Sequence, residues 1–158
     1  MTYAGAENAQ AAMKRKRRIN EWYTEGLHFA CRRCGKCCSG PPGIVEITES
    51  EAKAQAEYLG IDYEKFLLEY TMESDDGLCL AERESEYGFD CIMLACDPKS
   101  QLASCLVHEC RPLQCQTWPF WPETLRSPKT WEEAAHRCPG IGAGPLHSLD
   151  EIRANRDS

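Results

Sequence analysis

Residues 31–38 read Cys-Arg-Arg-Cys-Gly-Lys-Cys-Cys, CRRCGKCC in one-letter form, four cysteines in eight positions with the last two adjacent. A C-x2-C pair followed by glycine lets the backbone curl so that both thiolates and nearby amide hydrogens converge on one metal ion. Two further cysteines within four residues strengthen that reading. Burying unpaired thiols together is unfavourable, and a cation that binds them as thiolates removes the cost. Arg32, Arg33 and Lys36 offset part of the resulting negative charge. A disulfide within the adjacent pair is disfavoured, because neighbouring Cα atoms lie about 3.8 Å apart and ordinary disulfides begin near 4.4 Å.

Working outward, Phe29 leads into the run, and Ser39-Gly40-Pro41-Pro42-Gly43 forbids regular structure after it, so the cysteine run is a loop between elements. Upstream, residues 1–12 read as a mobile segment and residues 13–25 as a helix carrying Ile19, Trp22 and Tyr23 toward the core, ending near Gly26. Downstream, Ile44-Val45-Glu46-Ile47 reads as a short strand. Thr48 with Glu51 forms a capping box for a helix closed by Gly60, and Asp62 caps a second helix in which Phe66, Leu67 and Tyr70 share a face. Ser74-Asp75-Asp76-Gly77 is a turn. Runs around 78–81 and 89–94 then read as a hairpin, and Cys105–His108 as one more strand. Pro112 suits the first turn of a short helix carrying Cys115. Trp118-Pro119-Phe120-Trp121-Pro122 is too apolar to face water and is expected against the site. Thr130 with Glu133 predicts another capping box, for a helix that reaches His136 and delivers Cys138, and Ser148 with Glu151 a final helical turn. The glycines of 139–145 resemble a G-x-G-x-x-G phosphate loop only superficially, since position 145 is proline and no strand is predicted before them.

The chain has 158 residues, enough for one domain with a core; 42% are apolar and four are Trp, unlike a disordered tail or an all-cysteine metal store. A net charge of −7 argues against a dedicated nucleic-acid binder. The local exception, Lys14 to Arg18, reads as a solvated helix face. No signal-peptide core or apolar stretch of about 20 residues is present, so the chain is expected to be soluble and cytoplasmic, without a membrane partner. Eleven cysteines, an odd number, in a reducing compartment point to metal ligation and not to a disulfide framework.

The remaining cysteines lie at 79, 91, 96, 105, 110, 115 and 138. Cys115 in the first turns of a helix, and Cys138 at a helix end, are good positions for a ligand. Taken together, the motifs resemble the YkgJ-type cysteine-cluster family, also called the CxxCxxCC zinc- or iron-chelating domain. The resemblance is carried by Phe29-x-Cys31-x2-Cys34-Gly35-x-Cys37-Cys38, Cys91-Ile92-Met93-Leu94, Cys105-Leu106-Val107-His108, Arg111-Pro112-Leu113-Gln114-Cys115, Trp118-Pro119-Phe120-Trp121 and Cys138-Pro139-Gly140. It covers residues 22–144, leaving 1–21 as a basic N-terminal segment with the start of a helix and 145–158 as a polar tail. It implies a small α+β domain organised around a cysteine-rich metal site, with Cys31, Cys34, Cys37, Cys38, Cys91, Cys105, Cys115 and Cys138 as ligands. Cys79, Cys96 and Cys110 fall outside the pattern and are expected to be packed thiols. His108 stands where the family often has tyrosine, which gives it a structural place. His28 and His136 are assigned supporting or surface roles.

Eight thiolates suit two four-thiolate zinc sites, with the adjacent cysteines pointing one to each site or one of them bridging. Cys31-x2-Cys34-x2-Cys37 with a remote Cys138-Pro139 also suits an iron–sulfur cluster. The leading reading is a metal-binding protein whose zinc or iron is structural, with an interaction role and no named protein partner. An iron–sulfur redox or methyl-transfer-associated protein is the enzyme alternative. Against it stand the lack of a Gly-rich turn after a strand and of a C-x3-C-x2-C motif. Metal trafficking is a third reading, with Cys37 or Cys38 as the exchangeable ligand.

Overall fold

The computed structural model describes residues 21–100 and 102–158. The Lys14–Arg18 run and most of the helix expected over 13–25 lie outside the described residues. Residues 22–25 form a turn, closed by the Gly26 N–H donating to the Tyr23 carbonyl at 2.9 Å. The chain continues through β1 (Leu27–Phe29), the cysteine loop with a 3-10 turn at Lys36–Cys38, and β2 (Ser39–Gly40). Two helices follow, α1 (Glu49–Leu59) and α2 (Tyr63–Tyr70), then six short strands: β3 (Thr71–Ser74), β4 (Gly77–Leu80), β5 (Glu82–Ser85), β6 (Gly88–Cys91), β7 (Leu94–Cys96) and β8 (Ala103–Cys105). A 3-10 turn at His108–Cys110 leads to α3 (Leu113–Thr117), α4 (Pro128–Arg137), β9 (Ile141–His147) and α5 (Leu149–Arg156). The expected α+β class is what the chain adopts.

The described sheets are small and antiparallel: β1 with β9, β3 with β4, β7 with β8, and a three-stranded sheet in the order β2-β6-β5. The hairpin expected between 78–81 and 89–94 does not form. Each run instead pairs with a polar neighbour, Leu80 opposite Thr71 and Cys91 opposite Glu82. Glu82-Arg83-Glu84-Ser85 carries too few apolar residues to signal a strand, yet one face of an antiparallel sheet can be entirely solvated.

Residues 44–47 run extended along β4, with only Glu46 bridged, to Cys79, instead of forming a strand. Their other edge is taken by a side chain: Gln114 Oε1 accepts the Glu46 N–H and its Nε2 donates to the Ile44 carbonyl, both at 2.9 Å. The strand expected at Cys105–His108 ends at Cys105: the Leu106 N–H still bonds the Met93 carbonyl at 2.9 Å, but Val107 leaves the extended conformation at φ −115°, ψ 30° and His108 opens a 3-10 turn.

Helix boundaries follow their caps. Thr48 and Glu51 form the expected capping box on α1, and Gly60 closes it at φ 66° with its N–H on the Ala56 and Glu57 carbonyls. For α4 the box lies three residues earlier than expected. Ser127 is the N-cap, Thr130 its partner and Pro128 the first helical residue, a place where proline's missing N–H costs nothing. Ser148 and Glu151 cap α5 as expected.

Two hydrophobic clusters result. The first joins Ile47, Ala52, Ala56, Phe66, Leu80, Met93 and Val107 beneath α1 and α2. The second joins Tyr23, Phe120, Leu125, Trp131 and Ile152 between α4, α5 and the segment before β1. No described helix is long and apolar enough to cross a membrane.

Candidate metal centre

The cysteine loop is folded by two residues with positive φ, Arg33 at 51° and Gly35 at 72°. A side chain at Gly35 would also meet Ala103 Cβ at 2.6 Å and Leu94 Cδ1 at 2.9 Å, so the loop lies directly on the β7–β8 hairpin. The Cys38 N–H closes the turn onto the Gly35 carbonyl at 3.0 Å. Arg137, at the end of α4, clamps the loop from the other side. Its guanidinium donates to the carbonyls of Ser39 at 2.9 Å and Lys36 at 3.3 Å.

The distant cysteines arrive from four elements. Cys91 ends β6 and Cys105 ends β8, both packed against the first cluster. Arg83 holds the intervening chain by donating to the carbonyls of Ile92 and Leu94. Cys115 rides on α3, whose uncapped start is held by Glu51 through the Leu113 N–H at 2.7 Å. Trp121 Nε1 braces the same helix by donating to the Gln114 carbonyl at 3.0 Å. Cys138 is the C-cap of α4.

These elements enclose a cavity of about 250 Å³ whose lining includes Cys31, Cys34, Cys37, Cys38, Cys91, Cys105, Cys115 and Cys138. Cys79, Cys96 and Cys110 do not line it. Cys79 is buried in β4, its thiol on the Met72 carbonyl at 3.3 Å; Cys96 is exposed on β7; Cys110 packs against the first cluster. Leu80, Met93 and Val107 form an apolar wall on one side, and Trp118, Trp121 and Ala134 line the other. The first hydrophobic cluster therefore supplies one wall of the cavity. Of the histidines assigned supporting or surface roles, His28 bonds the Gly144 carbonyl through Nδ1 at 2.9 Å, and His136 is exposed.

Cys37 and Cys38 do not point apart. Their sulfurs approach to 3.7 Å, close to the edge of about 3.8 Å that Zn–S bonds of about 2.3 Å give a tetrahedron. Among the described residues no group of three or more His, Cys, Asp or Glu side chains stands in metal-holding geometry. The thiols are gathered around one space without forming a finished coordination shell.

The electrostatics show the tension of that gathering. The Cys38 thiol donates to Cys37, which with a backbone N–H, Arg111 and Arg137 lowers Cys37 to about 6 despite its crowded surroundings. Cys38 is driven upward by the same bond, by burial and by the charges of Cys37, Cys91 and Cys105. Burial first, and neighbouring thiols after it, raise Cys91 and push Cys115 up to about 12; burial likewise raises Cys105, with Cys37 adding to it. Without a cation, these groups cannot all ionise together. Two buried donors in the same lining, Arg111 Nε and Trp118 Nε1, have no acceptor. Metal-bound thiolates would supply both the missing positive centre and the missing acceptors, so the donor set fits a thiophilic metal such as zinc or iron.

A larger open cleft of about 610 Å³ lies beside α3 and the end of α5, lined among others by Glu46, Glu51, Gln114 and Arg156. It contains no cysteine. Its Glu51 and Gln114 already serve backbone groups, and Arg156 is bonded to Glu21, Tyr23 and Asp157.

Residues 30–139 match the model of the CxxCxxCC family, described as "Putative zinc- or iron-chelating domain". The match spans well over half of the chain, and the protein belongs to that family. The chain is also similar to the uncharacterized protein MJ0661 of Methanocaldococcus jannaschii, at 29% identity over 108 residues, 68% of this chain and 53% of the relative. The chain thus spans about half the length of that curated relative. No solved structure matches.

Sequence reasoning missed the groups that shape the site without being thiols. Arg137 was hidden in a helical run, and Glu51 and Gln114 act 62 and 68 to 70 positions from their partners. Arg111 and Trp118 lay inside the quoted motifs, and a basic residue and an indole among many cysteines are the signal that marks them as donors.

Proposed function

We propose that this protein holds zinc or iron through the thiolates of Cys31, Cys34, Cys37, Cys38, Cys91, Cys105, Cys115 and Cys138, and that the metal is structural. One observation carries the reading: the lining of one cavity takes in all eight of these cysteines and leaves out the other three. Leu80, Met93 and Val107 of the first hydrophobic cluster line the same cavity. A metal bound there joins the cysteine loop to β6, β8, α3 and α4 by coordination. Structural thiolate sites supply folding energy in this way, and two four-thiolate zinc ions would use all eight donors. Cys37 and Cys38, at 3.7 Å, share one of these ions.

The metal-binding unit is residues 22–144, with β9 continuing to His147 and α5 packing Ile152 into the second cluster. Free thiols in this number need a reducing compartment, so the cytoplasm is the expected location. The acidic balance of the chain does not favour a nucleic-acid partner.

A second reading, metal exchange with another protein, is favoured by the exposure of Cys31 and Cys37. An exchanging site requires a ligand that an incoming thiolate can reach.

The test is anaerobic purification followed by elemental analysis and assay of acid-labile sulfide. About two zinc per chain without sulfide supports paired thiolate sites. Iron with matching sulfide replaces them by an iron–sulfur cluster and moves the reading toward redox chemistry. A chain that retains neither metal, yet is folded, overturns the proposal.

A further inference from the structure

Beside the thiols, the cavity lining contains one imidazole. His108 opens the 3-10 turn after β8, and its side chain keeps only 17% of its surface exposed. Nε2 lies 3.6 Å from Cys31 Sγ. On the opposite side of the ring, Nδ1 faces Glu109 Oε1 at 3.4 Å, and Arg33 holds that same oxygen at 2.7 Å. Arg33 belongs to the Cys31–Cys34 loop, so loop, carboxylate and imidazole are tied together.

A carboxylate beside Nδ1 keeps the proton there and leaves the Nε2 lone pair free. Metal-binding histidines are commonly oriented this way, with the nitrogen remote from the metal donating to a carboxylate. The separation of the two donor atoms has the right size. Zn–S of about 2.3 Å and Zn–N of about 2.05 Å at a tetrahedral angle place sulfur and nitrogen about 3.6 Å apart. The observed distance is that edge. Arg111 also approaches Cys31, its Nη1 donating to Sγ at 3.8 Å.

We infer that His108 Nε2 is a donor of the site in place of one of the eight thiolates, paired with Cys31 Sγ on a divalent zinc-type cation, with Glu109 and Arg33 as positioning residues. This inference rests on the thiolate site proposed above. It changes one ligation position from all-sulfur to mixed sulfur and nitrogen. Cys31 is exposed, so the mixed position lies on the solvent side of the cavity. A neutral nitrogen replacing a thiolate there lowers the negative charge at the point where a metal enters or leaves.

Zinc K-edge X-ray absorption on the full chain, loaded with zinc under anaerobic conditions, decides the matter. The expected spectrum has a first shell dominated by sulfur, with a nitrogen contribution and the outer-shell scattering of an imidazole. His108→Phe, which keeps the ring volume, loses the imidazole signal and keeps the other sulfurs. Cys31→Ser keeps the imidazole and loses sulfur. Glu109→Gln retains the imidazole and releases zinc to a chelator about 10-fold faster. A wild-type spectrum with sulfur ligands alone overturns the inference and leaves the thiolate site standing. Zinc that is not retained overturns this inference, and zinc bound without sulfur overturns the thiolate site with it.

Discussion

The carboxylate of Glu51 accepts the backbone N–H of Leu113 at 2.7 Å, 62 positions along the chain. Its other oxygen accepts the N–H and the hydroxyl of Thr48. One side chain therefore caps α1 and fixes the start of α3, the helix that carries Cys115. Glu51→Ala is expected to lower stability by about 1–2 kcal/mol, the range for a lost cap whose amides water can reach. It should also weaken metal retention, because α3 loses its tether. Thr48→Ala removes the cap alone. Denaturant midpoints of both variants, compared with their rates of metal loss to a chelator, separate the two roles.

Gly35 answers two constraints, a left-handed backbone and contact with Ala103. Gly35→Ala is expected to cost about 2 kcal/mol or more, since steric overlap adds to the strain of positive φ. Ala103→Gly in the same chain removes the overlap with Ala103 Cβ but neither the backbone strain nor the contact with Leu94, so rescue should be partial. Equal stability of the single and double variants would show that the loop does not rest on β7–β8 as described.

The sequence made the eight cysteines of the cavity lining legible and left their architecture obscure. Spacing and glycine placement read the cysteine loop, and the caps at Thr48 and Ser148 were plain, because both depend on residues within one turn. What could not be read were partnerships made across the chain by polar groups. Residues 44–47 look like a strand from their apolar run, but one edge is satisfied by the amide of Gln114, which no local pattern reveals. Glu82–Ser85 looks like a loop because its charges face water, yet it pairs with β6. The start of α4 was misplaced because Thr130 with Glu133 has the spacing of a capping box, whereas Ser127 and Pro128 provide the stronger start.

Glu21 provides a pH test away from the thiols. Arg153 holds it through Nε at 2.9 Å and Arg156 through Nη1 at 2.9 Å, and these bonds lower its carboxyl to about 2. A folded value below the ordinary 4.5 means that the stabilisation is complete above about pH 4.5 and fades as pH falls toward 2. Glu21→Gln is therefore expected to be less stable at neutral pH, by about 1 kcal/mol for a partly solvated pair of ion pairs, and to converge with the wild type in acid. Because acid also releases metal from thiolates, wild type and Glu21→Gln are compared at equal metal content at each pH. A stability difference that is constant between pH 6 and 2.5 would exclude this assignment.

Thiol labelling provides a map in which the cysteines control for one another. Cys31 and Cys37 are exposed and line the cavity, Cys96 is equally exposed but lies outside it, and Cys79 is buried in β4. If the cavity holds the metal, metal-free protein treated with iodoacetamide near neutral pH should be modified early at Cys31, Cys37 and Cys96. The loaded protein should be modified at Cys96 alone, at an unchanged rate, since a coordinated thiolate is shielded and a remote one is not. Cys79 should remain unmodified in the loaded form until denaturant is added. Mass spectrometry of the digested protein reads each position separately. Protection of Cys96 by metal, or equal labelling of Cys31 and Cys37 with and without it, would place the bound ion elsewhere on the chain.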